Sequence, residues 1–199
     1  MVEGIEENYV VFDNGSNTIR AGFNGEEQPA FSIPTILGKP KPGSSLEAGS
    51  YFDDDISGVK SQLELKQPIQ SGQVQAAADW EDLEQLWRHC FKKLGVEANQ
   101  CAGVFLTDCV LNPKEHRVHC METMFETFGV KSIGFETAVV LNLYSAGRST
   151  GISVSMGHGV TQIVGVYEGC IIDSSAAKNT EITGQTCSEY FQTLLTENG

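Results

Sequence analysis

Tyr9-Val10-Val11-Phe12-Asp13-Asn14-Gly15-Ser16-Asn17-Thr18-Ile19-Arg20-Ala21-Gly22-Phe23 holds two apolar runs on either side of an Asn14-Gly15-Ser16 turn. Tyr9 to Asp13 reads as a buried strand, and Ile19 to Phe23 returns as a second one. The turn chemistry makes the pair a hairpin. Ser153-Val154-Ser155-Met156-Gly157-His158 repeats the pattern of strand, glycine turn and strand, with Val160 to Tyr167 as the returning strand. A repeated supersecondary unit says more about a fold than either copy alone.

Helical patterns lie between and beyond the two hairpins. Asp79 suits an N-cap, with Asp82 at the third helical position. Trp80, Leu83, Trp87, Cys90, Phe91 and Leu94 then share one face, and Gly95 fits C′. Asn112 and Pro113 read as N-cap and first residue of a second helix, presenting Val118, Met121, Met124, Phe125 and Phe128 before Gly129. A third helix is expected over Glu136 to Ala146, ended by Gly147, and a last one over Thr186 to Glu197. Val104 to Leu106 and Gly151 to Ser155 complete the expected strands, and Pro40 to Ser50 reads as an exposed loop.

Composition narrows the function. The 199 residues carry a formal net charge of −13, which repels phosphate backbones and argues against nucleic acid as a general partner. No apolar run approaches the roughly 20 residues of a membrane span. The first residues, Met1 to Asn8, show no basic region followed by an apolar one, so an intracellular protein of cytoplasm, cytoskeleton or nucleus is expected. Six cysteines without a C-x-x-C pair read as reduced, mostly buried thiols.

Several groups invite a functional reading that a structural one outweighs. His116, His119 and Cys120 have helical spacing suited to zinc, but no second cluster accompanies them. They read as a helix surface. Asp53-Asp54-Asp55 reads as a solvated run rather than a calcium site, Cys101 and Cys109 as packed thiols, and Trp80 and Trp87 as core.

The first hairpin, with Asp13-Asn14-Gly15-Ser16 and Arg20-Ala21-Gly22-Phe23, resembles the first phosphate loop of the actin family. Trp80-Glu81-Asp82-Leu83-Glu84, Leu111-Asn112-Pro113-Lys114, Met124-Phe125-Glu126-Thr127-Phe128, Gly147-Arg148-Ser149-Thr150-Gly151, Tyr167-Glu168-Gly169 and Leu195-Thr196-Glu197 resemble it in order and with near-family spacing. The resemblance implies an actin-like, ribonuclease H-like α/β fold in its N-terminal half. Residues 1–146 would form subdomains 1 and 2, with subdomain 2 over about 35–69 and its tip loop shortened. Residues 147–199 would open subdomains 3 and 4.

In that family two glycine hairpins hold the phosphates of ATP with backbone amides, and a carboxylate from each holds the water shell of a divalent cation. By resemblance Asp13, Gly15, Ser16, Arg20, Gly157 and Gly159 are the vestigial nucleotide-site residues. Arg20 stands for a lysine, keeping charge but not geometry, and Asn17 stands for a glycine. The second hairpin departs further. Ser155 and His158 occupy carboxylate positions, Met156 a hydroxyl position and Gln162 that of a histidine, while Ala138, or with a shift of one or two residues Thr137 or Glu136, stands where a water-orienting glutamine is expected.

The resemblance therefore implies a degenerate ATPase site, no resident cofactor and at most weak binding of ATP and Mg2+. It implies a structural or scaffolding subunit that binds other proteins, with actin or actin-related proteins among the candidates. Tyr144, Gly147, Ser149 and Gly169 match positions lining a partner groove, or else they pack a hinge. The alternative is a nucleotide-binding, filament-assembling subunit.

Overall fold

The computed structural model describes residues 8–197. The reading of Met1 to Glu7 lies outside them. In chain order the strands are β1 (Tyr9–Asn14), β2 (Thr18–Phe23), β3 (Phe31–Pro34), β4 (Leu37–Pro40), β5 (Tyr51–Phe52), β6 (Leu63–Lys66), β7 (Gly103–Asp108), β8 (Ile133–Thr137), β9 (Gly151–Met156), β10 (Thr161–Tyr167), β11 (Cys170–Ile171) and β12 (Ala177–Asn179). The helices are α1 (Asp54–Ser57), α2 (Ala77–Leu94), α3 (Lys114–Glu122), α4 (Ala138–Ser145) and α5 (Gly184–Glu197).

β1 and β2 form the expected hairpin, with Phe12 opposite Ala21. They sit in a mixed sheet of order β3-β2-β1-β7-β8, in which β7 runs parallel to β1 and β8 parallel to β7. The crossovers pass through α2 and α3, as parallel strands require. Val10, Phe12, Ile19 and Ala21 alternate inward and meet Leu83, Leu86, Trp87, Cys90 and Phe91 of α2. Phe12 and Phe91 pack edge to face with ring centroids 5.2 Å apart.

Around the second hairpin β10 takes β9 along one side and β11 and β12 along the other. Val164 and Val166 bury against Val139, Val140 and Leu143 of α4 in a separate core. The opposite face of the hairpin leaves Ile152, Val154, Met156 and Ile163 exposed. A small antiparallel sheet of order β5-β4-β6 stands apart from both. Among the described residues no helix is long and apolar enough to cross a membrane.

Several local expectations are corrected. α2 begins two residues before Asp79, which instead occupies the third helical position and accepts the Ala76 N–H at 3.1 Å. Asp82 is no first-turn residue: its side chain is fully buried and paired with Lys39 of the small sheet. Trp80 is half-buried and stacks on His119 at 4.2 Å between ring centroids, whereas Trp87 is the core residue. Pro113 is the N-cap of α3, not its first residue, because Asn112 turns its amide back to Asp108 and Gly72.

The apolar face expected of α3 is broken. Val118 and Phe125 are exposed, while Cys120 and Met124 are buried. The helix widens into a π turn over Thr123–Thr127, where Phe128 N–H reaches Thr123 O at 3.2 Å, and each widened turn shifts which side chains face inward. The third helix starts at Ala138 rather than Glu136, because Glu136 and Thr137 pair with Thr107 and Asp108 of β7. Cys90, Cys101 and Cys120 are buried and Cys109 partly so, but Cys170 and Cys187 are exposed. Burial pushes the Cys90 and Cys120 thiols up to about 12, as expected of inert packed cysteines.

The Asp82–Lys39 pair ties the small sheet to α2. One Asp82 oxygen has no hydrogen-bond partner among the described residues, so removing Lys39 strands a buried charge. Lys39→Met is expected to lower the urea midpoint by the equivalent of about 2 kcal/mol, below the usual cost because the ammonium is partly solvated. Adding Asp82→Leu should recover most of the loss.

Candidate functional site

The two hairpins face each other across a cleft of about 470 Å3. Its wall includes Asp13, Gly15, Ser16 and Arg20 from the first hairpin and Ser155, Gly157, His158 and Gly159 from the second, with Ala138 and Gln162 beside them. The six residues inferred for the nucleotide site are thus brought together, as are the altered positions.

The tip of the first hairpin is held from behind. Thr35, fully buried, donates its hydroxyl to Gly15 O at 2.7 Å and its N–H to Asn17 O at 2.9 Å. The Gln67 amide donates to Ser16 O. A trans peptide points its N–H opposite its carbonyl, so the amides of Ser16 and Asn17 are turned away from these anchors. The Ser16 hydroxyl is itself engaged, accepting the Gly72 N–H at 3.1 Å. Asp13 accepts Arg20 Nη1 at 3.0 Å through one oxygen and the Thr107 hydroxyl at 3.0 Å through the other.

The second hairpin closes through Gly157 N–H to Val160 O at 2.9 Å. Gly184 and Gln185, at the start of α5, donate to Gly157 O and His158 O at 2.9 Å each. Gly159 has a steric reason to be glycine: a Cβ there would lie 2.5 Å from Ser16 Oγ.

Behind the cleft lies a polar network that sequence reasoning missed. Asp108, buried, accepts Arg117 Nε at 2.6 Å, Asn112 Nδ2 at 2.8 Å and its neighbour Cys109 N–H at 2.8 Å. Asn112 Oδ1 accepts Lys178 Nζ and Gln73 Nε2, both at 3.0 Å. Lys178 is 66 residues from Asn112, a separation at which no local pattern signals contact. Burial holds the Lys178 amine below its ordinary range and pushes the Cys109 thiol up to about 11.

The divalent cation held at this place in the family does not fit these residues. One hairpin carboxylate remains, Asp13, and both its oxygens are already bonded inside its own sheet. Ser155 and His158 offer no negative charge in the other hairpin. Among the described residues no group of three His, Cys, Asp or Glu side chains is placed to hold a metal ion. His116 and Cys120 face the Trp80 ring and the core respectively, and Asp53 pairs with Lys93.

The four groove residues lie together at the base of the second sheet. Gly147 ends α4 at φ 69°, and Ser149 O accepts the Gly169 N–H at 2.7 Å. Gly169, at φ 80°, sits against the Tyr144 hydroxyl, where a Cβ would collide. Tyr144 keeps 48% of its surface exposed.

A sequence model of the family described as Actin matches residues 4–199. An "Actin-like protein" of Neurospora crassa is 32% identical over 204 residues, covering 100% of this chain and 53% of the relative. The chain thus spans about half the length of this relative.

Two stability measurements follow from this geometry. Asp13→Ala removes the acceptor of both Arg20 and Thr107 and is expected to cost about 1 kcal/mol in chemical denaturation with no nucleotide present. His116 is partly buried beside Trp80, and its desolvation holds its pKa below 6.5 despite Asp108 at 3.9 Å, with Lys178, Arg117 and His119 also pushing it down. Such a histidine binds its proton more readily when unfolded, so its contribution is whole above about pH 6.5 and is lost as the pH falls. His116→Phe should make stability fall less steeply from about pH 6.5 to 5, with the residual slope carried by His89, which burial also shifts down.

Proposed function

The chain belongs to the actin family, and on that premise we propose that it is a non-catalytic actin-related protein that works by binding other proteins, as a structural subunit of a larger assembly. The observation that carries this reading is the cleft wall: Ala138, Ser155, His158 and Gln162 all line one space between the hairpins. An alanine methyl cannot orient a water. Ser155 and His158 cannot share a cation's charge. The Gln162 amide oxygen is already bonded to Val110 N–H at 2.8 Å. Phosphoryl transfer runs on positioning and electrostatics, and each lost group costs orders of magnitude in rate.

Two surfaces support a binding role. Tyr144, Ser149 and Gly169 adjoin one another on the surface, on a backbone that includes two left-handed glycines, Gly147 and Gly169. The exposed face of Ile152, Val154, Met156 and Ile163 is an apolar patch of the kind that marks interfaces. Val166, by contrast, points to the other side and is buried at 2% exposure. It packs with Val139, Val140 and Leu143 of α4 instead.

With saturating Mg-ATP the purified protein is expected to release phosphate no faster than buffer, and turnover near that of filamentous actin would refute the reading. Tyr144→Ala combined with Ser149→Arg should abolish capture of a purified partner while leaving the melting temperature within a degree or two. Undiminished capture would remove the groove from the proposal.

A further inference from the structure

The mismatch between the implied cation site and the residues present has a structural counterpart in how the two cores are joined. We infer that the cleft is held closed by the chain's own side chains, Gln162 on the Val110 backbone above all, and that this closure needs neither divalent cation nor nucleotide. Val110 follows β7 of the first sheet, yet its side chain is buried in the second core with Val139, Val140 and Val164. Its N–H has no strand partner and donates instead to Gln162 Oε1 on β10, at 2.8 Å and out of solvent. Gln162 is 4% exposed.

An amide side chain at this position supplies a neutral acceptor at the end of a long arm, and a buried N–H deprived of its acceptor is costly. Two further contacts cross at the same level. Lys178 of β12 donates to Asn112 Oδ1 at 3.0 Å. Gly159 lies against the Ser16 side chain and the Ser71 backbone, with no room for a Cβ. A cation-bridged cleft needs a carboxylate from each side. Here Asp13 is bonded within the first sheet and its counterpart positions are Ser155 and His158. The substitutions that remove the ion's ligands and the side chain that clasps the two cores therefore line one cavity.

The inference does not rest on the proposed partner-binding role: phosphate release would overturn that role and leave the clasp untouched. Hydrogen exchange of the Val110 amide in the full chain tests it, with Leu106 of β7 as internal reference. In the wild type, exchange at Val110 should change less than about twofold on adding EDTA or Mg-ATP. Gln162→Met, similar in size but without an acceptor, should raise it at least about tenfold with Leu106 unchanged, and Mg-ATP should not restore it. A tenfold rise with EDTA in the wild type, or rescue of the variant by Mg-ATP, overturns the inference. Should Gln162→Met lose protection at Leu106 as well, the variant has unfolded and Lys178→Met decides. That variant must raise exchange at Val110 at least about threefold with Leu106 unchanged, and an unmoved Val110 overturns the clasp.

Discussion

Ser16 is the point at which the separate parts of this chain touch. Its hydroxyl receives Gly72 N–H, its carbonyl receives Gln67 from the strand-end of the small sheet, and its Cβ lies against Gly159 of the second hairpin. A residue at 7% exposure whose hydroxyl and carbonyl oxygens are both engaged cannot move without disturbing three neighbours. The cleft is built outward from this contact. Gly159 approaches so closely that no side chain fits there between the hairpins, and the turn of the second hairpin is tied to the α5 N-terminus through Gly184 and Gln185.

That geometry separates architecture from chemistry. The residues retained from the family pattern, Asp13, Gly15, Ser16, Gly157 and Gly159, each have a packing or hydrogen-bonding task inside the protein. The residues that depart from it, Ala138, Ser155, His158 and Gln162, stand where the family resemblance assigns groups that act on a ligand rather than on the fold. On the reading proposed above, such a fold loses its reaction without losing its shape, since the shape does not depend on those groups. Gln162 goes a step further, because its amide turns a ligand-facing position into an internal acceptor.

The buried polar groups show the same economy. Asp82 beneath Lys39 and Asp108 beneath Arg117 and Asn112 each sit between elements distant in the chain. Buried carboxylates are weak sources of net stability, and their partners hold the elements they join in one relation. Asp82 fixes how the small sheet meets α2, and Asp108 fixes how the loop through Val110 and Asn112 leaves β7 for the second core.

The sequence by itself determined the two hairpins, the amphipathic face of α2 and the helix stops at Gly95 and Gly147, which take φ of 72° and 69°. These are properties of adjacent residues: turn chemistry, a period of two or 3.6, and the freedom of glycine to adopt positive φ. It also placed the altered positions, through resemblance to a family pattern. Only the tertiary structure decided the rest. The short strands β3 to β6 exist because they find partners, Asp82 turns inward because Lys39 reaches it, and the π turn at Thr123–Thr127 re-aims the face of α3. The pairing of Gln162 with Val110, 52 residues away, belongs to the same class. An amide side chain has the same composition whether it faces water, a ligand or a buried N–H. What settles its role is the group that folding brings opposite it.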